Sequence, residues 1–243
     1  MQPKRSLSTV RETEKRMADL ELNFYSRLYD NFFDDEMCDA YIASFEETMK
    51  KDAEKVEKTS ICTGPIRPDG HQICGNCNCQ RMNPMGFDRF DHLNKLAMNK
   101  FSNVVERYKE DILFQDCQWP KNLMWEEFRM KRFLVGDGSK QSEQFGYHVD
   151  VDSHEGAKRM LILMVYLNDD FGGGETVFPH YGDSIKPKKG SILIFPPMWM
   201  YLHRGNPPLK PGYAKYFLMT YLNYVPIGQE VAAYDPATGK LND

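Results

Sequence analysis

The chain has 243 residues, of which 41% are hydrophobic and 27% are charged. This is enough to bury one substantial core, so we expect a single domain with an added N-terminal layer. Its 31 basic and 35 acidic residues give a net charge of −4. Nothing in this balance indicates a surface adapted to phosphates, and no nucleic-acid partner is expected.

The N-terminal segment is charged throughout. Residues 1–30 alternate Lys, Arg and Glu with scattered apolar positions, which predicts a solvated, partly helical leader. It lacks the apolar region of a signal peptide, and no later run reaches the length of a membrane span. We therefore predict a soluble cytoplasmic protein with no membrane partner, and with its six cysteines reduced.

Two helices are predicted within residues 31–110. Apolar residues recur at three- and four-residue steps over residues 37–49, directly after Asp34. A second stripe with the same period covers residues 90–108. Stripes of this kind usually face a core. We expect both helices to form a layer over one face of a sheet.

The period of the sequence changes after about residue 124. Four apolar and aromatic runs, separated by Gly, Pro and Asp clusters, predict strands at residues 125–134, 159–168, 191–195 and 215–224. Helices followed by antiparallel strands predict a mostly β domain with N-terminal helices and a double-stranded β-helix (jelly roll) core, which encloses a small polar cavity. The domain would span residues 31–225, with the jelly roll at 124–225 and a C-terminal tail at 226–243.

Metal-ligating residue types lie close together in the sequence GYHVDVD. His148 and Asp150 are two positions apart after a strand-like run, so in an extended chain their side chains point to the same face. His203, at the end of the predicted strand pair SILIFPP and MWMYLH, can supply a third ligand. Two imidazoles and one carboxylate form the facial triad that suits Fe(II) and leaves open positions for catalysis. We predict these three residues as the metal ligands and catalytic residues.

Other histidines and acids nearby are weaker candidates. Asp152 has the same parity as Asp150, but two residues move a side chain by roughly 6 to 7 Å along a strand, so we interpret Asp152 as an entrance-loop residue. His154 lies in the polar segment DSHEG, and His180 follows a predicted turn. We assign neither histidine to the metal.

A lysine interrupts the last apolar run, AKYFLMTYL. Alternation along this strand places Lys215 on the inward face with Phe217 and Met219. An inward lysine needs an anionic partner, which a carboxylate of a bound 2-oxo acid would supply. The alternative is a strand-edge lysine whose amine reaches solvent.

Residues 125–224 resemble the catalytic domain of the prolyl 4-hydroxylase family of Fe(II)- and 2-oxoglutarate-dependent dioxygenases. The similar segments, in order, are WEEFRMKRF, YHVDVD, RMLILMVYLND, GGGETVFP, IKPKKGSILIF and LHRGNPPLKPGYAKY. FFDDEMCDAYI also resembles the helix that opens these domains. The resemblance therefore extends over most of the chain from residue 32 onward.

The resemblance implies roles for individual residues. It gives Fe(II) to the three predicted ligands and the C5 carboxylate of 2-oxoglutarate (2OG) to Lys215. It gives Tyr166 a hydrogen bond to the same carboxylate and Thr176 a place in the pocket wall. It also implies O2 as cosubstrate, succinate and CO2 as coproducts, and stimulation by ascorbate. Because Asp150 is present where Gly or Ala would leave room for a halide, hydroxylation is favoured over halogenation.

The sequence also departs from the family pattern. Phe133 stands where many members have Tyr, which removes a hydroxyl contact, and the spacing from His203 to Lys215 is slightly longer than in collagen-type enzymes. Family analogy further suggests that Arg159 and Trp199 shape the mouth of the site.

Two Gly-rich segments are candidate loops at the site. Cys62, Cys74, Cys77 and Cys79 lie in CTGPIRPDGHQICGNCNC, which is interpreted as a mobile flap with free thiols or, alternatively, as a zinc site. VGDGSKQSEQFG, directly before His148, is a second candidate for the rim.

Three functions follow as hypotheses. The first is hydroxylation of a prolyl residue in a peptide or protein. The second is the same chemistry on a free amino acid, a small metabolite or a nucleobase. The third is a non-enzymatic metal-binding module, which an inward-facing Lys215 disfavours because a dead site has no reason to retain a buried charge.

Overall fold

The computed structural model describes residues 24–58, 79–137 and 142–225, and the backbone of two further short strands. Those two strands, Tyr234–Asp235 and Lys240–Leu241, pair with each other in antiparallel orientation. Most of the predicted leader and the rest of the predicted tail lie outside the described residues. The domain limits at residues 30 and 226 therefore stay predictions, although the larger sheet already begins at strand β1 (Arg27–Tyr29).

Helix α1 (Asp35–Lys51) begins where the acidic residues of the sequence indicate. The Asp34 side chain accepts a hydrogen bond from the backbone N–H of Met37 at 2.8 Å, which caps the first turn. Acidic residues in the first turn and lysines in the last turn complement the helix dipole. The buried face of α1 carries Met37, Cys38, Tyr41, Phe45 and Thr48. The first predicted helix is confirmed.

Helix α2 (Asp91–Asp111) confirms the second predicted helix. Its buried side chains, including Phe101 and Tyr108, join those of α1 and one face of the larger sheet in a single core. Phe101, for example, packs edge-on against Phe128 with ring centroids 5.4 Å apart. Among the described helices, none is both long and apolar enough to cross a membrane.

Strand β1 precedes α1, and the other strands of the two sheets lie between the helices and after α2. β2 (Glu57–Lys58) and β3 (Gln80–Met82) precede α2. The strands that follow α2 are β4 (Leu123–Trp125), β5 (Arg129–Leu134), β6 (Phe145–His148), β7 (Arg159–Tyr166), β8 (Thr176–Phe178), β9 (Asp183–Ile185), β10 (Ile192–Phe195), β11 (His203–Gly205) and β12 (Ala214–Tyr224).

These strands form two antiparallel sheets that face each other. The larger sheet has the order β1-β10-β7-β12-β5-β3-β2, with β4 also paired to β12, and the smaller sheet has the order β6-β11-β8-β9. One face of the larger sheet packs on the helices. Its other face contributes Met164 and Phe217 to a second core, to which the smaller sheet adds Phe178. The mostly β, jelly-roll fold with N-terminal helices is therefore confirmed.

Two predicted strands differ from the observed ones. The run 125–134 is divided into β4 and β5, because the chain leaves the ladder at Glu126, whose carbonyl accepts a hydrogen bond from the Thr220 hydroxyl at 2.6 Å. The segment MWMYLH was expected to be a strand, but Trp199–Tyr201 forms a 3₁₀ turn and only His203 enters β11. His203 therefore begins a strand of the smaller sheet and does not end one.

Candidate active site

A cavity that opens to solvent, with about 470 Å³ of empty space including its mouth, lies between the two sheets, where a small polar cavity was expected. Apolar and aromatic side chains make up much of its wall, with polar groups at a few positions, as in most ligand-binding cavities. The polar lining residues are Lys131, His148, Asp150, Thr176, His203, Asn206 and Lys215.

The three predicted metal ligands meet at one end of this cavity. His148, the last residue of β6, lies directly opposite His203, the first residue of β11, in the antiparallel ladder. Such cross-strand neighbours have their side chains on the same face of the sheet. The Nε2 atom of His148 is 3.8 Å from Oδ1 of Asp150, and Nε2 of His203 is 3.6 Å from Oδ2. One candidate ligand atom from each residue lies within 4.8 Å of the other two, so the three residues can hold one metal ion.

Hydrogen bonds fix the orientation of both imidazole rings. Nδ1 of His148 is 2.8 Å from the carbonyl oxygen of Gly146, and Nδ1 of His203 is 2.9 Å from that of Tyr201. When Nδ1 carries the proton that is donated to these carbonyls, Nε2 is free to bind a metal. Burial, together with the neighbouring His203, lowers the pKa of His148 to about 3, which keeps its ring neutral as a metal ligand requires.

The carboxylate of Asp150 has two unlike oxygen atoms. Oδ1 accepts a hydrogen bond from the Tyr221 hydroxyl at 2.6 Å, whereas Oδ2 is buried with no hydrogen-bond partner. Burial acts to raise the pKa of Asp150, but the two histidines and Tyr221 outweigh it and lower this pKa, so the carboxylate is ionised. A buried anionic oxygen without a donor is costly unless a cation binds it. The donor set of the cavity therefore fits a divalent metal.

Lys215 lies inside the cavity, as the alternation of its strand predicts. Its side chain is buried, and its amine donates a hydrogen bond to the carbonyl oxygen of Gly174 at 2.6 Å. Burial lowers the pKa of Lys215 to about 7, although the nearby Glu175 opposes this shift. Phe133 is the residue that stands where many prolyl 4-hydroxylases have tyrosine. The centroid of its ring is 5.9 Å from the Lys215 amine, and its side chain also lines the cavity. Lys215 can therefore receive an anionic group of a ligand.

Tyr166 and Thr176 lie on the same side of the cavity as Lys215. The Tyr166 hydroxyl is 2.7 Å from Oγ1 of Thr176, and Thr176 itself lines the cavity. Tyr166 is fully buried, with its ring 5.7 Å from the Lys215 amine. Thr176 can contact a ligand directly. Tyr166 does not line the cavity and acts through its hydrogen bond to the Thr176 hydroxyl.

The other sequence candidates are not among the three candidate ligands, and they differ in exposure. Asp152, His154 and His180 are all exposed. Trp199 is also exposed, whereas Arg159 donates a hydrogen bond to the backbone carbonyl of Asp150 at 2.8 Å. Arg159 therefore supports the backbone of a candidate ligand.

Three residues of the site were not identified from the sequence. Lys131 lines the cavity, Tyr221 bonds to Asp150, and Glu126 forms an ion pair with Arg159 at 3.1 Å. Alternation along AKYFLMTYL could have indicated that Tyr221 shares a face with Lys215, whereas RMKRFL shows no simple alternation that would indicate the inward position of Lys131.

The two Gly-rich segments are described only in part. Cys62, Cys74 and Cys77 lie outside the described residues, so the zinc and flap hypotheses stay predictions. Cys79, the last residue of the cluster, is buried in the core between the two sheets. Of the second segment, residues 138–141 are not described.

The hydrogen bond between Tyr221 and Asp150 gives a testable prediction. We expect Tyr221→Phe to weaken Mn(II) binding by about tenfold, because groups that orient a ligand carboxylate typically change metal affinity by 10- to 100-fold. Isothermal titration calorimetry under anaerobic conditions measures this. Tyr224→Phe, an exposed tyrosine at the end of the same strand, is the matched control. An unchanged dissociation constant for Tyr221→Phe would show that this hydroxyl has no part in metal binding.

Comparison with known proteins agrees with this geometry. Residues 134–223 match the family model of the 2OG-Fe(II) oxygenase superfamily. A curated protein of Acanthamoeba polyphaga mimivirus, named "Putative prolyl 4-hydroxylase", is 37% identical over 62 residues. This match covers 26% of the chain and 23% of the viral protein, so the chain spans about a quarter of the length of that relative.

Solved structures share the fold. A viral collagen prolyl hydroxylase from Paramecium bursaria Chlorella virus-1, in complex with 2OG, has a TM-score of 0.53 and 24% identity over 83% of this chain and 97% of its own. A prolyl hydroxylase from Trichoplax adhaerens, bound to a peptide fragment of a hypoxia-inducible factor, has a TM-score of 0.55 and 13% identity over 90% of this chain and 94% of its own.

Proposed function

We propose that this chain, whose residues 134–223 match the family model of the 2OG-Fe(II) oxygenase superfamily, is a member of that superfamily and hydroxylates a substrate C–H bond with Fe(II), 2OG and O2. The observation that carries the proposal is the pairing of two features in one cavity: three ligand atoms that converge within 4.8 Å, and a buried lysine. A metal-binding module would need only the first. The second supplies a site for the far carboxylate of a 2-oxo acid.

In the proposed reaction, the bound metal would supply the oxidising chemistry together with O2: one oxygen atom would enter succinate as 2OG loses CO2, and the other would be inserted into the substrate C–H bond. His148, Asp150 and His203 would hold the metal and would leave room for 2OG and O2 to bind it. Tyr221 donates a hydrogen bond to one oxygen of Asp150, so that the other oxygen would be available to the metal. These residues position the reactants and do not transfer protons.

The walls of the cavity contribute by excluding water. Phe133 and Phe217 stack with ring centroids 5.5 Å apart beside Lys215, and Ile162 and Met164, on β7 of the same sheet, also line the cavity. A dry environment strengthens the attraction between the lysine and a carboxylate and protects a reactive centre from side reactions.

We propose a prolyl residue in a peptide or protein as the substrate, with ascorbate as a stimulant. The proposal is supported by the curated relative, which bears a prolyl 4-hydroxylase name, and by two structural neighbours that are prolyl hydroxylases, one of them with a bound peptide. The net charge of −4 gives no support to a nucleic-acid substrate.

The test is succinate formation from 2OG in air, with Fe(II) and ascorbate, in the presence of proline-containing peptides. Peptides with alanine in place of each proline are the matched controls, and His148→Ala protein is the control for the metal site. We expect succinate that depends on iron and His148 and increases with the proline peptides alone. Iron-dependent succinate without stimulation by any peptide would contradict the prolyl substrate, and no succinate would contradict the oxygenase itself.

A further inference from the structure

We infer that Lys131 is a second cosubstrate-binding residue, which pairs with the carboxylate at the keto-acid end of 2OG, while Lys215 holds the opposite end. The inference rests on the proposed oxygenase function. The proposed function assigns roles to the three candidate ligands and to Lys215, but none to the charge of Lys131. The inference gives Lys131 a role in the same site.

The first argument is the spacing of the two lysines. In the ladder between β5 and β12, Lys131 pairs with Phe217 and Phe133 pairs with Lys215, so the two lysines are diagonal neighbours on one face. Such neighbours are about 7 to 8 Å apart at the backbone. Both amines lie 5.6 Å from the ring centroid of Phe217, and both side chains line the cavity. Both amines therefore lie near the same aromatic ring.

This spacing matches the length of the cosubstrate. Four C–C bonds of about 1.5 Å each separate the terminal carbons of 2OG, which places its carboxylates about 5 Å apart when it is extended. A five-carbon dicarboxylate can therefore lie along Phe217 with one carboxylate near each amine.

The surroundings of each lysine assign the two ends. Lys215 donates a hydrogen bond to the carbonyl oxygen of Gly174. The Lys131 amine lies 4.6 Å from the ring of Phe145, and that ring lies 4.1 Å from the ring of His148. The keto-acid end of 2OG is the end that chelates a metal, so Lys131 is the lysine beside it.

Lys131 also needs an anion. Burial lowers its pKa, and Cys79 and Asp150 oppose this shift. In the described ranges, however, no carboxylate oxygen lies within 4.0 Å of the Lys131 amine, so Lys131 forms no ion pair there. The amine packs instead over the rings of Phe145 and Phe217. A half-buried ammonium group that contacts rings gains further from a carboxylate placed beside it.

The test compares two ligands on the full chain loaded with Zn(II), which has no redox chemistry and permits no turnover. The ligands are 2OG and 2-oxopentanoate, which has the same chain length but lacks the far carboxylate. Calorimetry measures their dissociation constants for the wild type, Lys131→Met and Lys215→Met. Lys109→Met is the control, since the Lys109 amine also packs over a ring, that of Trp119 at 4.8 Å, outside the cavity.

We expect Lys131→Met to weaken both ligands by a similar factor, about 10- to 100-fold, as the loss of a charge-assisted hydrogen bond predicts. Lys215→Met should weaken 2OG and leave 2-oxopentanoate unchanged. Lys131→Arg, which keeps the charge, should bind 2OG more tightly than Lys131→Met, and this variant excludes a general loss of folding as the cause.

Two other outcomes overturn the inference, and they are distinguishable. If Lys131→Met binds both ligands like the wild type while Lys215→Met loses 2OG, then Lys131 has no contact with the cosubstrate and the proposed function stands. If the wild type binds neither ligand, then the proposed function fails, and the inference fails with it.

Discussion

Asp150→Ala protein is expected to lose metal binding and iron-dependent succinate formation together. Asp150 is the only anion among the three candidate ligands, and its buried Oδ2 has no protein partner. Without it, only two imidazoles remain, and we expect the affinity for Mn(II) to fall by more than about 100-fold, beyond the range seen when only an orienting residue is removed. Calorimetric titration with Mn(II) and a succinate assay measure the two losses.

Asp152→Ala is the matched control for this prediction. Asp152 lies two residues further along the chain and has the same side-chain chemistry, but it is exposed. His154→Ala serves in the same way for an exposed histidine of this loop. Full metal affinity in the Asp150→Ala protein, or an equal loss in the Asp152→Ala protein, would mean that the ligand set is wrong.

Lys215→Met is expected to raise the dissociation constant of 2OG by about 100-fold while metal binding is retained. The amine is buried between rings, so an ion pair with a carboxylate is little screened by water, and its loss leaves the carboxylate unpaired in the cavity. Calorimetry with Zn(II)-loaded protein provides the measurement. Lys210→Met is the matched control, because Lys210 is exposed and packs over Tyr213 outside the cavity. Equal 2OG affinity in the wild type and Lys215→Met would argue against the lysine as an anchor.

The same lysine makes 2OG binding depend on pH. Burial lowers the pKa of Lys215 to about 7 in the free protein, so the amine is protonated below pH 7 and increasingly neutral above it. The dianion of 2OG binds the protonated form of the Lys215 amine. Above pH 7 the amine must therefore take up a proton when 2OG binds. Affinity should be constant below pH 7 and fall by up to about tenfold for each pH unit above it. A flat profile between pH 6 and 9 would contradict the assignment.

The parts of the fold and site that depend on a regular period could be predicted from the sequence. Apolar residues at three- and four-residue steps after Asp34 and before Tyr108 predicted both helices. Alternation along the last strand predicted the inward position of Lys215. The common face of His148 and Asp150 also followed from alternation, although only His148 belongs to a strand.

Other features depend on contacts between distant parts of the chain. In β5, Met130 packs toward the helices and Phe133 toward the second core, so both faces of the strand are covered and the pattern RMKRFL shows no simple alternation. Lys131 was therefore not recognised. The break at Glu126 depends on Arg159 and Thr220, which lie far along the sequence, and no local signal encodes it.

The arrangement of β12 has a consequence for how this protein can vary in evolution. Lys215 and Tyr221 lie on this one uninterrupted strand of 11 residues, six positions apart, which corresponds to about 20 Å. Inserting or deleting one residue between them would turn one of the two side chains to the helical face of the sheet. Point substitutions in β12 can therefore change the side chains of the site without moving the others. Insertions and deletions are better tolerated in connections such as residues 135–144, before β6.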